Sequence, residues 1–562
     1  MLSENIRLKW QDFWKEKKRN HRELKPASLI PEWDKTSLFT VAWMQQLVPY
    51  LSWKLHPDWK RLYNIQKCIR TPDIDEIGDE RHLTMFEMMW NWSLGDYFKK
   101  ESLTWSVEFL TKVCSIPLEK IGATIFAGNE KLWLNEDVEA RKILNELWIP
   151  NERIRVMKEN WRWPAGEIWP CWPDCEFYVD RGEEFWPSDW MMDDNDRYTE
   201  IWNNVFMQFY KQKDWNFTKL SNQNVDTWMW LERLTMILQK TPTIFETDLF
   251  VPIIEVIEKN IWIKYPWKDL FYYNIKNINQ SEINKKIKFF QTNSNQSNNI
   301  LLKRFRIIVD HLRGSLFLIA DGVLPSNEWR WYVLRRLIRR ACYNLYLLNK
   351  KVDYKKIVEE IANVVEKKYW DFRTNLKNYN ILVEIILNEI NKFYKTIQKW
   401  LKLISEEIEK ANNNSDKKIS GEILFKLYDT YWFPIELSKE IAETYWLKID
   451  ENWFKKLMQK AKEKSRNATK NMFKRWIDWA KYLDWIPPTK FIWYEQLELE
   501  NPKILKYFDV EWHKVYVFDK TPFYAEWWWQ TADKWKFILD DWTVLKIKDV
   551  KKIWWVYLHF VE

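Results

Sequence analysis

A chain of 562 residues with 42 tryptophans and nine glycines meets a backbone problem before any other. Turns, helix ends and close backbone approaches need positive φ or a missing Cβ, and glycine supplies both at least cost. Here Trp stands in such places: "IWPCWPD" (168–174), "TWMWLER" (227–233), "SNEWRWYVLRR" (326–336) and Trp527-Trp528-Trp529. Three consecutive indoles among polar residues would form an apolar patch of a kind soluble proteins avoid. Pooled, Trp and Gly make about 9% of the chain, near the ~7% glycine of ordinary proteins. The reading that follows is a reassigned codon: many positions written Trp are glycine in the source organism, and the remaining Trp are genuine. The competing reading, an aromatic surface for sugars or single strands, predicts regular exposed spacing, whereas these Trp fall in turn motifs.

Charged residues are 30% and apolar residues 46%, which suits a water-soluble globular chain of several domains. No run of about 18 uncharged apolar residues occurs, and the amphipathic start "MLSENIRLKWQDFWKEKKRN" lacks the apolar core of a signal peptide. No membrane association and a cytoplasmic location are expected. Cys68, Cys114, Cys171, Cys175 and Cys342 are odd in number and scattered, which fits a reducing compartment. Cys171 and Cys175 have no nearby His to complete a zinc site and read as loop thiols. The net charge of +8 is mild. The basic run "RRLIRR" (335–340) sets Arg335, Arg336, Arg339 and Arg340 at helical spacing, a stripe suited to phosphates.

Residues 1–245 mix helical patterns with short strands such as "EFYVD" (176–180) and "NNVFMQFY" (203–210), an α+β arrangement. Over 246–470 the period becomes that of helices, in "PIIEVIEKNI", "YVLRRLIRRACYNLYLL", "KIVEEIANVVEKKY", the long "ILVEIILNEINKFYKTIQKWLKLISEEIEKA" and "SKEIAETY". A polar stretch, 274–299, reads as an exposed loop or insertion. A basic linker, 471–490, ends at Pro487-Pro488. From 491 to 562 short alternating strands ("KVYVFD", "KFILDD", "TVLKIKDV", "VYLHFVE") predict a small β-barrel or sandwich.

With glycine restored, several segments in order resemble the alanyl-tRNA synthetase family. "SLFTVAWMQQLVPY" (37–50) resembles its Leu-Phe-Thr…Ala-Gly-Met segment, and "QKCIRTPDIDEIGDERHLTMFEMMWNWSLGDYFKKE" (66–101) its motif 2. "WPCWPDCEFYVD" (169–180) resembles Gly-Pro-Cys-Gly-Pro before a Glu-containing strand. "RYTEIWNNVFMQF" (197–209) matches closely, with Trp202 a Trp in the family too. "VDTWMWLERL" (225–234) resembles motif 3, and "ADGVLPSNEWRWYVLRRLIRR" (320–340), "LYDTYWFP" (427–434) and "TPFYAEWWWQTADKW" (521–535) complete the series.

The resemblance implies a class II antiparallel catalytic sheet with flanking helices (1–245), an all-helical tRNA-recognition domain (246–470) and a C-terminal β-barrel resembling the start of an editing region (491–562). It implies ATP-dependent ligation of L-alanine to alanine tRNA through an alanyl-adenylate, with ATP and Mg²⁺ required. Attack of a carboxylate on the α-phosphate concentrates negative charge that guanidinium groups neutralise. Arg70 is implied at the α-phosphate and Arg233 at the γ-phosphate end of a bent ATP. Asp226 is implied for the substrate ammonium and Asn203 for holding the amino acid, with Trp161 or Trp163 limiting the pocket to a methyl group. Glycine at 228 and 230 would let backbone lie against ATP. Asn327 and Asp429 are implied as readers of a G·U pair in the acceptor stem, with Arg335, Arg336, Arg339 and Arg340 on phosphates.

Two departures matter. The loop "RTPDIDEIG" lacks the family's Gly-Gly-Lys-His insertion and its phosphate-binding Lys, for which Lys67 is the remaining nearby cation. The six histidines show no zinc-ligand spacing, so no zinc editing site is expected in this chain, whether it is a natural short form or a truncated one; the coiled-coil dimerisation tail of longer family members is absent too, and a monomer is expected. The alternative function is a non-catalytic class II relative that binds tRNA or a protein partner. Retention of Arg70, Asn203, Asp226 and Arg233 argues against it.

Overall fold

The structure, a computed structural model, describes the chain outside residues 32–36, 43–46, 48–49, 52–55, 58, 131–133, 163–168, 184, 186–196, 212–216, 267–295, 327–328, 370–378, 414–416, 432–434, 445–446, 461–485, 488, 492–502, 511–512, 522, 524–534, 539–543, 554–555 and 562. It divides into two compact units, Met1–Ile404 and Ser405–Glu562. The helices expected to begin a separate domain at 246 therefore belong, up to residue 404, to the same unit as the sheet.

The first unit is built on a nine-stranded sheet: β1 (Arg22–Glu23), β2 (Arg61–Ile69), β3 (Met85–Leu94), β4 (Ile121–Phe126), β5 (Ile154–Met157), β6 (Trp161–Arg162), β7 (Trp169–Asp180), β8 (Tyr198–Lys211) and β9 (Phe217–Trp230). Their order is β1-β2-β3-β9-β8-β7-β4-β5, with β6 pairing β7. Parallel pairs occur only at the margins, β1 with β2 and β4 with β5. The centre is antiparallel. All ten residues of β3 are buried, as expected of a central strand covered on both faces.

Because side chains alternate along a strand, each face can be read from the register. Val225, Met229, Trp202 and Met89 lie on one face and belong to the main core. That core includes Ile6, Trp10, Phe13 and Trp14 of α1 (Ser3–Lys15), spaced to fall on one side of a helix. Trp202 sits 5.3 Å from Trp10 and 5.8 Å from Phe109, and its indole N–H donates to Thr227 Oγ1 at 3.0 Å. Cys175 is buried within β7, so the expected loop thiol is a strand residue. The backbone strand places it there because Cys behaves as a small apolar side chain.

Helices follow the sheet: α2 (Lys99–Glu108), α3 (Val138–Glu146), α4 (Leu231–Gln239), α5 (Val251–Ile261), α6 (Gln296–Ala320), α7 (Trp329–Leu348), α8 (Tyr354–Lys368) and α9 (Tyr379–Asn413). The periodic segments of the sequence correspond to α5, to α7 through α9 and, for "SKEIAETY", to α11 (Ile435–Thr444) of the second unit. The polar stretch at 274–299 falls largely outside the described residues, and its last residues begin α6. The second unit holds α10 (Gly421–Tyr431) and α11 (Ile435–Thr444). It also holds an antiparallel five-stranded sheet of β10 (Ile504–Val510), β11 (His513–Phe518), β12 (Trp535–Ile538), β13 (Val544–Ile553) and β14 (Val556–Val561), ordered β10-β11-β14-β13-β12. The expected β segment is thus a small sheet. Among the described residues no helix is long and apolar enough to cross a membrane.

Two helix ends bear on the tryptophan question. After α3, Ile149 N donates to Leu144 O at 3.0 Å across Trp148, whose φ is 65°. This six-to-one bond around a left-handed residue is a Schellman closure, which favours glycine. The same bond closes α6, from Val323 N to Leu318 O, and there the left-handed residue is Gly322. Trp262 ends α5 with φ 61°. The two indoles are 80% and 89% exposed, so packing offsets nothing of the left-handed strain, about 1–2 kcal/mol per non-glycine residue. We expect Trp148→Gly and Trp262→Gly each to stabilise the chain by about 1 kcal/mol. Urea unfolding measures this, and a loss of stability in both would contradict it.

Candidate active site

The face of the central sheet opposite the core carries the polar residues that the sequence singled out. One row of paired residues runs Glu176, Asn203, Trp228, Trp90 across β7, β8, β9 and β3. The next runs Asp174, Val205, Asp226, Trp92. Asn203 and Asp226 therefore lie on adjacent rungs of one face. Thr227, between the site residues, turns to the other side and accepts from Trp202.

Asn203 is fully buried and donates through Nδ2 to Glu176 Oε1 at 2.9 Å and Asp174 Oδ2 at 3.2 Å. Tyr178 donates to Glu176 Oε2 at 3.0 Å. These bonds fix the amide so that its oxygen is the free end. Among the described residues, Asn203 Oδ1 and Asp226 Oδ1 are buried without a hydrogen-bond partner. Buried acceptors left unmade are expensive, and two on adjacent rungs make a receptor for a group rich in N–H donors. Burial pushes the Asp226 carboxyl up to about 8, against a smaller opposing effect of the Trp92 indole N–H.

The arginines gather at the end of the same face. Arg70 follows β2, its amide donating to Thr84 O at 3.0 Å. Its guanidinium lies 5.3 Å from the Phe86 ring and 5.1 Å from that of Trp230. Trp230 stacks on Phe86 at 4.1 Å with the planes 21° apart. The Arg233 guanidinium covers Trp230, 4.3 Å from the ring. Arg233 Nη1 also donates to Glu200 Oε2 and to the Glu200 carbonyl, both at 3.1 Å. Phe86 and Arg233 thus bound a slot holding a flat bicyclic ring, with a second guanidinium beside it.

Lys67, the candidate for the missing loop lysine, is elsewhere. It pairs with Glu87 in the strand register, on the core face opposite Phe86. Its ammonium is buried against Asp321. Strand alternation turns it away from Arg70 although it is only three residues distant.

Two arginines, a stacked ring pair and two unpartnered buried oxygens thus share one face of the sheet. Residues 5–562 match the family model described as tRNA synthetases class II (A). The chain belongs to that family. It is 36% identical over 568 residues to an alanine–tRNA ligase of Caldicellulosiruptor saccharolyticus, covering 98% of this chain and 59% of the relative. It is 34% identical to that of Bacillus subtilis, covering 98% and 60%. To the alanine–tRNA ligase of Borreliella afzelii it is 37% identical over 485 residues, covering 84% and 74%. The chain spans about three-fifths of the length of the first two relatives.

The other residues singled out by the resemblance sit as follows. Trp161 begins β6, its side chain outside the described set, and Trp163 and Asn327 lie outside the described residues. Asp429 falls within α10, its side chain likewise undescribed. The basic stripe of α7 is corrected. Arg339 is buried and donates to Glu389 Oε1 at 2.7 Å, and Arg335 pairs with the same carboxylate at 3.2 Å. Arg340 is 1% exposed and donates to the Ile74 carbonyl and to His311. Arg336 pairs with Asp75. Their i, i+4 spacing is real, but Arg339 and Arg340 face the protein and are closed to phosphates, while Arg335 and Arg336 stay partly exposed. In the second unit a cavity of about 400 Å³ is lined by Lys418, Lys439 and Lys448 together with Asp450 and Glu451, and two of these lysines pair with the two carboxylates.

Proposed function

We propose that the chain activates L-alanine with ATP, releasing pyrophosphate, and transfers the alanyl group from the adenylate to the terminal ribose of alanine tRNA. The observation that carries this reading is the Phe86–Trp230–Arg233 stack. An indole is close in size and shape to a purine, and a ring face with a guanidinium opposite is what holds either. We read Trp230 and Trp228 as glycine in the source organism, in line with Trp148 and Trp262 at left-handed helix ends. With no side chain at 230 the slot receives adenine.

The amino acid then lies along the rungs of Asn203 and Asp226. Its ammonium donates to the two unpartnered oxygens, and this charge-assisted contact anchors it. Trp161 or Trp163 limits the side chain to a methyl. Arg70, beside the slot, neutralises the α-phosphate as the carboxylate attacks. Arg233 caps adenine and reaches the γ-phosphate end. Mg²⁺, when bound, screens the phosphates and aids departure of pyrophosphate. Glu200 suits it, being a hard oxygen donor whose Oε1 is buried without a hydrogen-bond partner among the described residues.

Asn327 and Asp429 read the acceptor stem, Arg335 and Arg336 lie nearest the phosphates, and the enzyme works as a cytoplasmic monomer. We expect Asp429→Ala to leave alanine-dependent pyrophosphate exchange within twofold of the parent. Charging of alanine tRNA should fall at least tenfold, the scale of one lost base contact. Charging at the parental rate would remove Asp429 from recognition. The reading as a whole is tested by charging alanine tRNA with the chain as its host decodes it.

A further inference from the structure

Helix α6 carries no residue of the site, yet two of its buried side chains hold both walls of the slot. Asp310 and Arg313, three apart and on one side of the helix, are each fully buried. Asp310 Oδ1 accepts from the amide of Thr84 at 2.9 Å, and the Thr84 carbonyl in turn accepts from the amide of Arg70. Asp310 Oδ2 accepts from His311 Nδ1 at 2.8 Å, and His311 Nε2 accepts from Arg340. Arg340 donates to Ile74 O, so the segment after Arg70 is tied to α6 at Thr84 and to α7 at Ile74.

Arg313 does more. Its Nη2 donates to the carbonyl of Met85, next to Phe86, and to Glu232 Oε1 at 3.2 Å, next to Arg233. Its Nη1 donates to the Tyr369 hydroxyl at 2.7 Å. Glu232 also accepts from the amide of Glu87, on the other side of Phe86. Glu87 is gripped at two points by Arg7. One planar fork from outside the sheet therefore touches the immediate neighbours of Phe86 and of Arg233. Its rigid geometry sets their separation in a way a point charge cannot.

The geometry points to Arg313, with Asp310, as positioning residues for ATP: they hold Phe86, Arg70 and Arg233 at the spacing of a purine. The inference rests on the reading of the slot as the adenine site. An alternative role for Arg313 is to neutralise the buried Glu232, which concerns stability alone.

Kinetics of pyrophosphate exchange with the host-decoded chain separate these. Arg313→Lys keeps the charge, and we expect its KM for ATP to rise at least tenfold while its KM for alanine stays within twofold. In the double variant Arg313→Met with Glu232→Gln both charges are gone, so stability lost in Arg313→Met alone should return while the high KM for ATP persists. A folded Arg313→Lys with the parental KM for ATP, or a double variant that regains it, overturns the inference. Hydrogen exchange gives an arm independent of activity: Asp310→Ala should speed exchange of the Thr84 and Arg70 amides at least tenfold, and unchanged protection overturns it too. A parent without any exchange activity, but with that protection lost in Asp310→Ala, would count against the adenine reading rather than against the clamp.

Discussion

Replacing Trp230 by glycine is expected to raise the chain's affinity for ATP by at least about 100-fold. The indole is 5% exposed, stacked on Phe86 and covered by Arg233. ATP can enter only by expelling it, and removing a large aromatic side chain from such a site costs about 3–5 kcal/mol. That corresponds to a penalty in ATP affinity of roughly 100- to 1,000-fold or more. Titration calorimetry of the two versions of the full chain checks this. Glycine at 230 should give binding at micromolar to millimolar ATP, and the indole version a Kd at least about 100-fold higher. Equal affinity in both would show that adenine does not use this slot.

Replacing Asp226 by asparagine should abolish adenylate formation and at the same time stabilise the fold. An amide keeps the shape but cannot neutralise an ammonium, and loss of a buried charge partner costs about 3–5 kcal/mol, enough to lower exchange by two to three orders of magnitude. The stability effect follows from the carboxyl held up at about 8 by burial. In the unfolded chain an aspartate loses its proton near 4. Between these values the unfolded state binds fewer protons than the folded one, so stability falls as pH rises from 4 to 8. Asparagine has no such term. Asp226→Asn should match the parent near pH 3.5 and exceed it by a few kcal/mol at pH 8, at about 1.4 kcal/mol per unit as an upper scale. Denaturant unfolding at the two pH values reads this. For the parent, kcat/KM for alanine should climb toward pH 8 and then level, because only the ionised carboxylate receives the ammonium. A parental exchange rate in Asp226→Asn, or a pH-independent stability difference, would remove Asp226 from this role.

Much of the site is legible in the sequence because it is carried by strands. Once Asn203 and Asp226 are placed on long alternating segments, period two puts Asp226, Trp228 and Trp230 on one face and Val225, Thr227 and Met229 on the other. The failures are of the same kind. Lys67 is near Arg70 in sequence but on the wrong face, because register against Glu87 decides the direction of a strand side chain. Arg335, Arg336, Arg339 and Arg340 share a helix side as their spacing requires. Whether that side meets solvent depends on Glu389, His311 and the turn at Ile74, partners supplied from 29 to 266 residues away along the chain. Helix α6 contributes nothing that a motif search for catalytic residues finds. Its Asp310 and Arg313 reach the strand ends partly through backbone groups, the Thr84 amide and the Met85 carbonyl, which leave no trace in residue type. The tryptophans are legible by composition, but only backbone angles single out Trp148 and Trp262.

The most direct test of the account is alanine-dependent exchange of labelled pyrophosphate into ATP, catalysed by the full chain with tryptophan positions decoded as in its host. The account predicts exchange that requires alanine and Mg²⁺ and disappears when indole is restored at 230. A folded, host-decoded chain that exchanges no label with alanine would contradict it.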